Sequence, residues 1–556
     1  MSATTCVSPL QQARTAYQPK LPLVFAKQGA AVGCIEGERL DPLADAEAIH
    51  GLFPNTAGLP ILTFEPGPGA ANKSICAGVI LSGGQAPGGH NVIAGLFDGL
   101  KSLNPANRLF GFRGGPSGLV DGKQIEITAE LLDHYRNTGG FDIIGSGRTK
   151  LEQPNQFDRG LEHCRKLGIK GLVVIGGDDS NTNACVLAEH YQKINAGVNV
   201  IGCPKTIDGD LKNPFIDASF GFDTATKVYA ELVGNIQRDA NSAKKYYHFV
   251  KLMGRSASHI ALEVALQTHP NAALIGEEIA AKKLTLSQVV DQLVDIVIQR
   301  ADLGKHFGAF LVPEGIIEFM PDMQQLIREL NDVLHAHEPF LKSLPTQDDR
   351  RQFLFNKLSA DAGKSFSVLP QLIQIQLMLD RDPHGNVQVS RIETEKLLAD
   401  VVGDRLREKK AQGKYHGKFS ALCHFFGYEG RCAAPSNFDA DYCYSLGFTA
   451  AALLGAGKTG YIASIRHLHQ PASEWTAGGV PLTTMMNLER RHGADKPVIR
   501  KALVDLNGRP FAKLAAHREE WALNDCYLYP GPIQYFGPSE VCDLPTCTLL
   551  LEKGEA

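Results

Sequence analysis

The sequence predicts an α/β protein built on a largely parallel sheet, with an accessory helical region. Three observations predict it. Short apolar runs ending in glycine are followed by helically spaced segments: SICAGVILSGG (74–84) before HNVIAGLFDGL, GLVVIGG (171–177) before NTNACVLAEHYQKI, and YYHFVKL (246–252) before SASHIALEVALQ. Two more apolar runs, NAALIGEE (271–278) and FGAFLVPEG (from Phe307), end in acids. Residues 316–410 are leucine-rich and charged, as in QQLIRELNDVLHAH and LLADVVGDRLREKK, and read as helices.

In chain order, residues 1–70 are rich in Pro, Ala and Gly with weak periodicity, and read as an irregular extension with one short helix. A first α/β domain is expected over 71–245 and the first part of a second over 246–320. A helical insertion is expected over 321–412, and mixed α/β segments return over 413–556. A chain of 556 residues is too long for one ordinary core. In open α/β sheets ligands bind beyond the carboxyl ends of the strands. Every polar cluster singled out below lies at such an end.

A formal net charge of −4 gives no reason to expect nucleic acid or a membrane surface as partner. The twelve cysteines are scattered without a CxxC pair, and Cys542 and Cys547 have no zinc-knuckle spacing, so free thiols are expected. The N-terminus lacks a charged segment followed by an apolar run, so neither a leader nor a membrane span is expected, and the cytoplasm is the default location.

GGQAPGGHN (83–91) joins a predicted strand to a predicted helix, where glycines and a helix N-terminus suit an anion. A tight turn with no ligand would read the same way. GGDDSNTN (176–183) adds Asp178 and Asp179. Carboxylates repel phosphate unless a cation intervenes, which suggests Mg²⁺ bridging protein and phosphate oxygens. A helix cap is the alternative, and one acid would suffice for it. GAGKTG (455–460) is a decoy, because a P-loop needs glycine where the chain has Ala452.

GCPKTIDGD (202–210) ends an apolar run with Lys205, Thr206, Asp208 and Asp210. Were this segment extended, positions 206, 208 and 210 would face one side. Phosphoryl transfer to an alcohol needs a base, cations over the moving charge and phosphate donors. An aspartate would be the base and Lys205 a fixed charge; a polar turn with surface acids is the plainer explanation. Nearby strand ends carry Arg148 and Lys150 in GSGRTK, Arg255 in MGRSASH, Glu314 in PEG, and Tyr428 and Arg431 in GYEGR. Arginine forks suit phosphate.

GGxxPG, GGDD, PKTIDGD, MGR, PEG and YEGR stand in the order found in phosphofructokinases, and the chain most resembles their long-chain pyrophosphate-dependent group. The resemblance covers roughly residues 75–320 and 415–470. It implies two Rossmann-like three-layer domains, with the phosphate donor bound by 71–245 and the sugar phosphate by 246–320. It further implies reversible Mg²⁺-dependent phosphoryl transfer from pyrophosphate to the 1-hydroxyl of fructose 6-phosphate. Asp208 is then the base, Thr206 and Asp210 assist, Asp178 holds Mg²⁺ and Gly84 lies against pyrophosphate. Arg148, Ile207, Met253, Gly254, Arg255, Glu314, Tyr428, Glu429, Gly430 and Arg431 are the implied substrate contacts. Lys245 and Tyr246 resemble residues offered to a neighbouring subunit's site, making a homodimer the minimal active form. ATP-using relatives carry glycine where this chain has Asp179 and Lys205, and both differences favour pyrophosphate. An ATP-dependent 6-phosphofructokinase, a non-catalytic regulatory subunit and a sugar-phosphate binding module stay open as alternatives.

Overall fold

The structure, a computed structural model, describes residues 9–69, 72–379, 391–491, 494–533, 539 and 543–555. Cys6, Cys542, the ends of the expected N-terminal extension and residues 380–390 of the expected helical region lie outside the described residues. The chain divides into two compact units. The first takes the described residues of Met1–Ala225, Tyr428–Ala502 and Ile533–Ala556; the second takes those of Thr226–Gly427 and Leu503–Pro532. The division falls at Ala225, inside the helix Phe222–Ala243, where the sequence reading placed it at 245, the end of that helix.

Among the described residues the first unit holds a nine-stranded sheet. Its strands are β1 (Gly33–Arg39), β2 (Pro60–Glu65), β3 (Cys76–Leu81), β4 (Arg108–Phe112), β5 (Gln124–Ile127), β6 (Gly171–Gly176) and β7 (Asn199–Pro204). Four strands of the second unit follow in sequence, β8 (Tyr247–Leu252), β9 (Ala272–Ala273), β10 (Gly308–Pro313) and β11 (Ala421–Phe426). The first unit resumes with β12 (Tyr461–Arg466) and β13 (Thr476–Pro481), then the hairpin β14 (Met486–Arg491) and β15 (Ala494–Ile499). The large sheet runs β1-β2-β13-β12-β7-β6-β3-β4-β5. Its central neighbours, from β12 through β7, β6 and β3 to β4, pair in parallel. β6 is buried at every position, because a parallel strand inside an α/β sheet is covered on both faces.

The expectation of an irregular extension over 1–70 is corrected. β1 and β2 pair antiparallel, and β2 joins the sheet through β13. The signal was weak because β1 is an edge strand with most residues exposed. The join to β13 is also a backbone contact: a β-carbon on Gly478 would run into the Leu62 carbonyl oxygen, so no apolar side chain marks it.

The second unit holds the all-parallel sheet β11-β8-β10-β9. The predicted helices are present, among them Pro321–Ala336, Gln347–Lys357, Ala360–Ser367 and Thr394–Ala411. Their apolar faces are not a separate core. Leu326, Leu330, Leu354, Phe366, Leu397 and Val402 share one buried cluster with Tyr247 and Phe249 of β8. Lys251 and Glu395, both buried, pair at 3.3 Å between β8 and the helix Thr394–Ala411. Among the described residues no helix is long and apolar enough to cross a membrane.

Candidate active site

In the first unit, β3, β6 and β7 run parallel and side by side, so the loops leaving their carboxyl ends meet. Backbone bonds tie them: Ser82 N donates to Ile175 O at 2.8 Å, and Lys205 N donates to Gly176 O at 3.0 Å. Gly83 takes the left-handed conformation at φ 84°, and its amide donates to Gly147 O at 2.9 Å. That amide is therefore spent on the fold, and side chains approach the loop.

Those side chains are cations. A β-carbon on Gly83 would lie 3.4 Å from Lys205 Nζ, and one on Gly84 would lie 3.6 Å from Arg148 Nη2 and from Arg431 Nη1. Three positive groups thus surround two adjacent glycines whose missing side chains leave room. Arg431 sits over the Tyr428 ring at 4.5 Å, and its Nε is buried with no hydrogen-bond partner among the described residues. Glu429 and Gly430 lie between them in the short helix Tyr428–Arg431. The resemblance placed Arg431 with the sugar phosphate; the fold brings its guanidinium to the loop after β3. Lys205 is buried, and burial lowers its pKa to about 8; Asp208 and Asp178 oppose the drop, and Arg148 and Arg431 add to it.

The acids stand on the loops after β6 and β7, and Asp208 and Asp178 act electrostatically on Lys205. Asp178 and Asp179 open the helix Asp178–Lys193, whose N-cap is Gly177 without a side-chain cap bond. Neither acid is therefore the cap, although both sit at the positive end of the helix dipole. Asn181 holds this corner together, donating to Gly176 O at 2.6 Å and to Cys203 O at 3.2 Å. Asp179 pairs with Lys150 at 3.4 Å.

After β7 the chain does not stay extended. Residues 207–209 bend and Gly209 takes φ 73°, so alternation cannot bring Thr206, Asp208 and Asp210 together, and that part of the sequence argument is corrected. A local turn replaces it: Asp208 N donates to Thr206 Oγ1 at 3.1 Å, and Thr206 O accepts from Ser219 Oγ at 2.9 Å. Ile207 is buried and anchors the turn; Asp210 is buried as well.

Sequence reasoning missed Lys501. It follows β15, and its Nζ lies 3.5 Å from Asp178 Oδ2 and 3.9 Å from Asp210 Oδ2. Burial pulls its pKa down, but Asp178, Asp210, Asp208 and Asp179 together hold it above the ordinary lysine value. A lysine in the charged stretch KPVIRK looks like a solvated residue, and nothing local links it to an aspartate over 300 positions away.

In the second unit, β8 and β10 end in register, Leu252 beside Pro313. The residues just beyond therefore meet: Glu314 N donates to Leu252 O at 2.9 Å and Gly315 N to Gly254 O at 3.3 Å. Met253 and Glu314 are buried, and Gly254 takes φ 112°. Arg255 pairs with Glu318 at 3.2 Å, a partner the sequence reading did not name. Lys245 and Tyr246 are exposed between the helix Phe222–Ala243 and β8, and Tyr246 takes φ 67°, unusual for an aromatic residue. The decoy GAGKTG is a helix end: the helix Asn437–Gly455 stops there and β12 follows.

Among the described residues no cluster of three or more His, Cys, Asp or Glu side chains could hold a metal ion. Mg²⁺ does not require one, since it keeps waters and takes one or two carboxylates beside substrate phosphates. Asp178 and Asp210, which already share one ammonium near the Lys205, Arg148 and Arg431 cations, fit that donor set.

A phosphofructokinase family model matches residues 76–454. A pyrophosphate–fructose 6-phosphate 1-phosphotransferase of Porphyromonas gingivalis is 59% identical over 549 residues, covering 99% of each chain. One from Treponema pallidum is 54% identical over 557 residues, covering 98% of this chain and 97% of its own. Among solved structures, a pyrophosphate-dependent phosphofructokinase from Marinobacter aquaeolei superposes with TM-score 0.52 at 17% identity, over 82% of this chain and 93% of its own, and so supports the fold alone. With a family model over most of the chain and relatives at 59% and 54% identity over nearly its whole length, the chain belongs to the phosphofructokinase family, in its pyrophosphate-dependent group.

Proposed function

We propose that this chain transfers a phosphoryl group reversibly from pyrophosphate to the 1-hydroxyl of D-fructose 6-phosphate, giving fructose 1,6-bisphosphate and phosphate. The observation that carries the reading is the convergence of Lys205, Arg148 and Arg431 on Gly83 and Gly84. Three cations around a gap left by two glycines suit a small, highly charged donor. The relatives at 59% and 54% identity, named for this reaction, support it.

In this reading Asp208 accepts the proton of the 1-hydroxyl, and the freed oxygen attacks the near phosphorus as the bond to the bridging oxygen breaks. Thr206 holds the turn that presents Asp208, through its bond from Asp208 N. Lys205 and Arg148 take up the charge of the departing phosphate. Mg²⁺, held by Asp178 with Asp210, would neutralise charge on the phosphate oxygens. Met253, Gly254, Arg255 and Glu314 contact the sugar phosphate, Arg255 exchanging Glu318 for the 6-phosphate. Asp179, placed at a helix start beside Lys150, adds bulk and charge that disfavour a nucleotide. The same reading includes a cytoplasmic homodimer in which Lys245 and Tyr246 serve the neighbouring site.

The test is a coupled assay with fructose 6-phosphate and Mg²⁺, comparing pyrophosphate with ATP. Turnover with pyrophosphate alone is expected. Turnover with ATP alone would keep the base and overturn the donor assignment, and no turnover with either donor would overturn the catalytic reading.

A further inference from the structure

We propose that Lys501 is a positioning residue of the phosphoryl-transfer centre, its ammonium bridging Asp178 and Asp210 and standing in for the divalent cation while pyrophosphate is absent. The inference rests on the function proposed above and adds a residue to it.

The backbone on either side of Lys501 is pinned to the elements that carry its two partners. Ile499 N donates to Thr182 Oγ1 at 3.1 Å, within the helix that opens at Asp178. Ala502 N donates to Asp210 O at 2.7 Å, the carbonyl of the partner residue itself. Arg500 N donates to Met485 O at 3.0 Å, tying the strand back to the chain before β14. The hairpin thus delivers the ammonium by the same contacts that place the carboxylates.

The ion-pair lengths are informative. At 3.5 and 3.9 Å the ammonium is beyond the ordinary hydrogen-bond range of both carboxylates and is shared between them. A shared charge yields to a divalent cation more readily than a closed, bidentate pair would. Asp178, Asp179, Asp208 and Asp210 would otherwise repel one another across a small space, and Lys501, acted on by all of them, offsets part of that repulsion.

Lys501→Met tests this, with Mn²⁺ titrated against the resting protein in the absence of pyrophosphate, alongside kcat and KM. Losing the resident charge should tighten Mn²⁺ binding by about tenfold. With their resident charge gone, the four acids should repel incoming pyrophosphate and lower kcat/KM for it by about tenfold at limiting Mn²⁺. Lys501→Arg, which keeps the charge, should hold Mn²⁺ affinity near the wild-type value. A merely structural lysine would weaken Mn²⁺ binding and kcat together, and that result overturns the proposal, as does an unchanged Mn²⁺ affinity. Lys501→Gln provides the same comparison should the methionine variant fail to fold. Wild-type turnover with pyrophosphate decides the underlying function, whereas the Mn²⁺ titration of the resting protein decides the role of Lys501, so the two failures are separable.

Discussion

Lys205 reduces the donor question to one proton. Its burial lowers the pKa to about 8, against an ordinary value of 10.5. Below about 8 the ammonium is present and attracts pyrophosphate; above it the charge is lost. The apparent KM for pyrophosphate should therefore rise as pH passes through about 8, and Lys205→Arg, whose guanidinium stays charged, should remove that limb. Identical KM profiles for wild type and variant from neutral to alkaline pH would sink the assignment. Stability runs the other way. Between about 8 and 10.5 the unfolded chain holds a proton that the folded chain has released, so this residue's contribution to stability rises with pH across that window. Asp178, Lys205 and Asp208 were legible in the sequence because each follows an apolar run, where an α/β sheet places its ligands. Lys501 and Glu318 were not, since a charge on a hairpin or near a helix start has many ordinary explanations.

Among the elements, the helix Gly89–Leu103 carries the glycine loop after β3 on its N-terminal side and lies closely against the helix Asn437–Gly455. A β-carbon on Gly95 would run into the Tyr444 carbonyl oxygen, and one on Gly447 into the Val92 carbonyl oxygen. The two backbones approach because both lack side chains there. Gly447→Val should cost about 1–3 kcal/mol through overpacking, read as a lower urea midpoint with unchanged slope. An unaltered midpoint would show that the helices part at no cost. Strand–helix alternation was legible because the central parallel strands are apolar; β1 was not, because an edge strand is half solvated, and β2, antiparallel beside it, carries no strand–helix repeat. The bend at 207–209 was hidden for a different reason: Asp-Gly is compatible with several turns, and only the neighbouring bonds to Thr206 and Asp210 select one.

For the whole molecule, the proposed homodimer with shared sites makes a quantitative demand. Asp208→Asn alone should lower kcat by about 10²–10⁴. A second variant, lacking the Lys245 and Tyr246 side chains through double alanine substitution, should be comparably inactive. Reassorting the two inactive proteins in equal amounts should restore roughly a quarter of wild-type activity, since half the dimers of a two-fold assembly would be mixed and each would hold one complete site. Failure to regain activity, with reassortment verified by mass, would exclude shared sites. The positive φ of Tyr246 suits such a role, because a strained exposed aromatic persists only where its surroundings hold it.

The sequence by itself determined the α/β class, the family and the loops that carry the acids and the paired glycines. Those features are local: a run of apolar residues, a turn and a charge lie within ten positions of one another. Only the tertiary structure decided which distant residues join these loops, bringing Arg431 to Gly84 and Lys501 to Asp178. It also decided that the described helices of 321–412 share the core of β8 instead of forming their own. The reason is the same in each case. Packing sets the distance between elements, and packing is fixed by both surfaces at once, so neither stretch of sequence can show it alone.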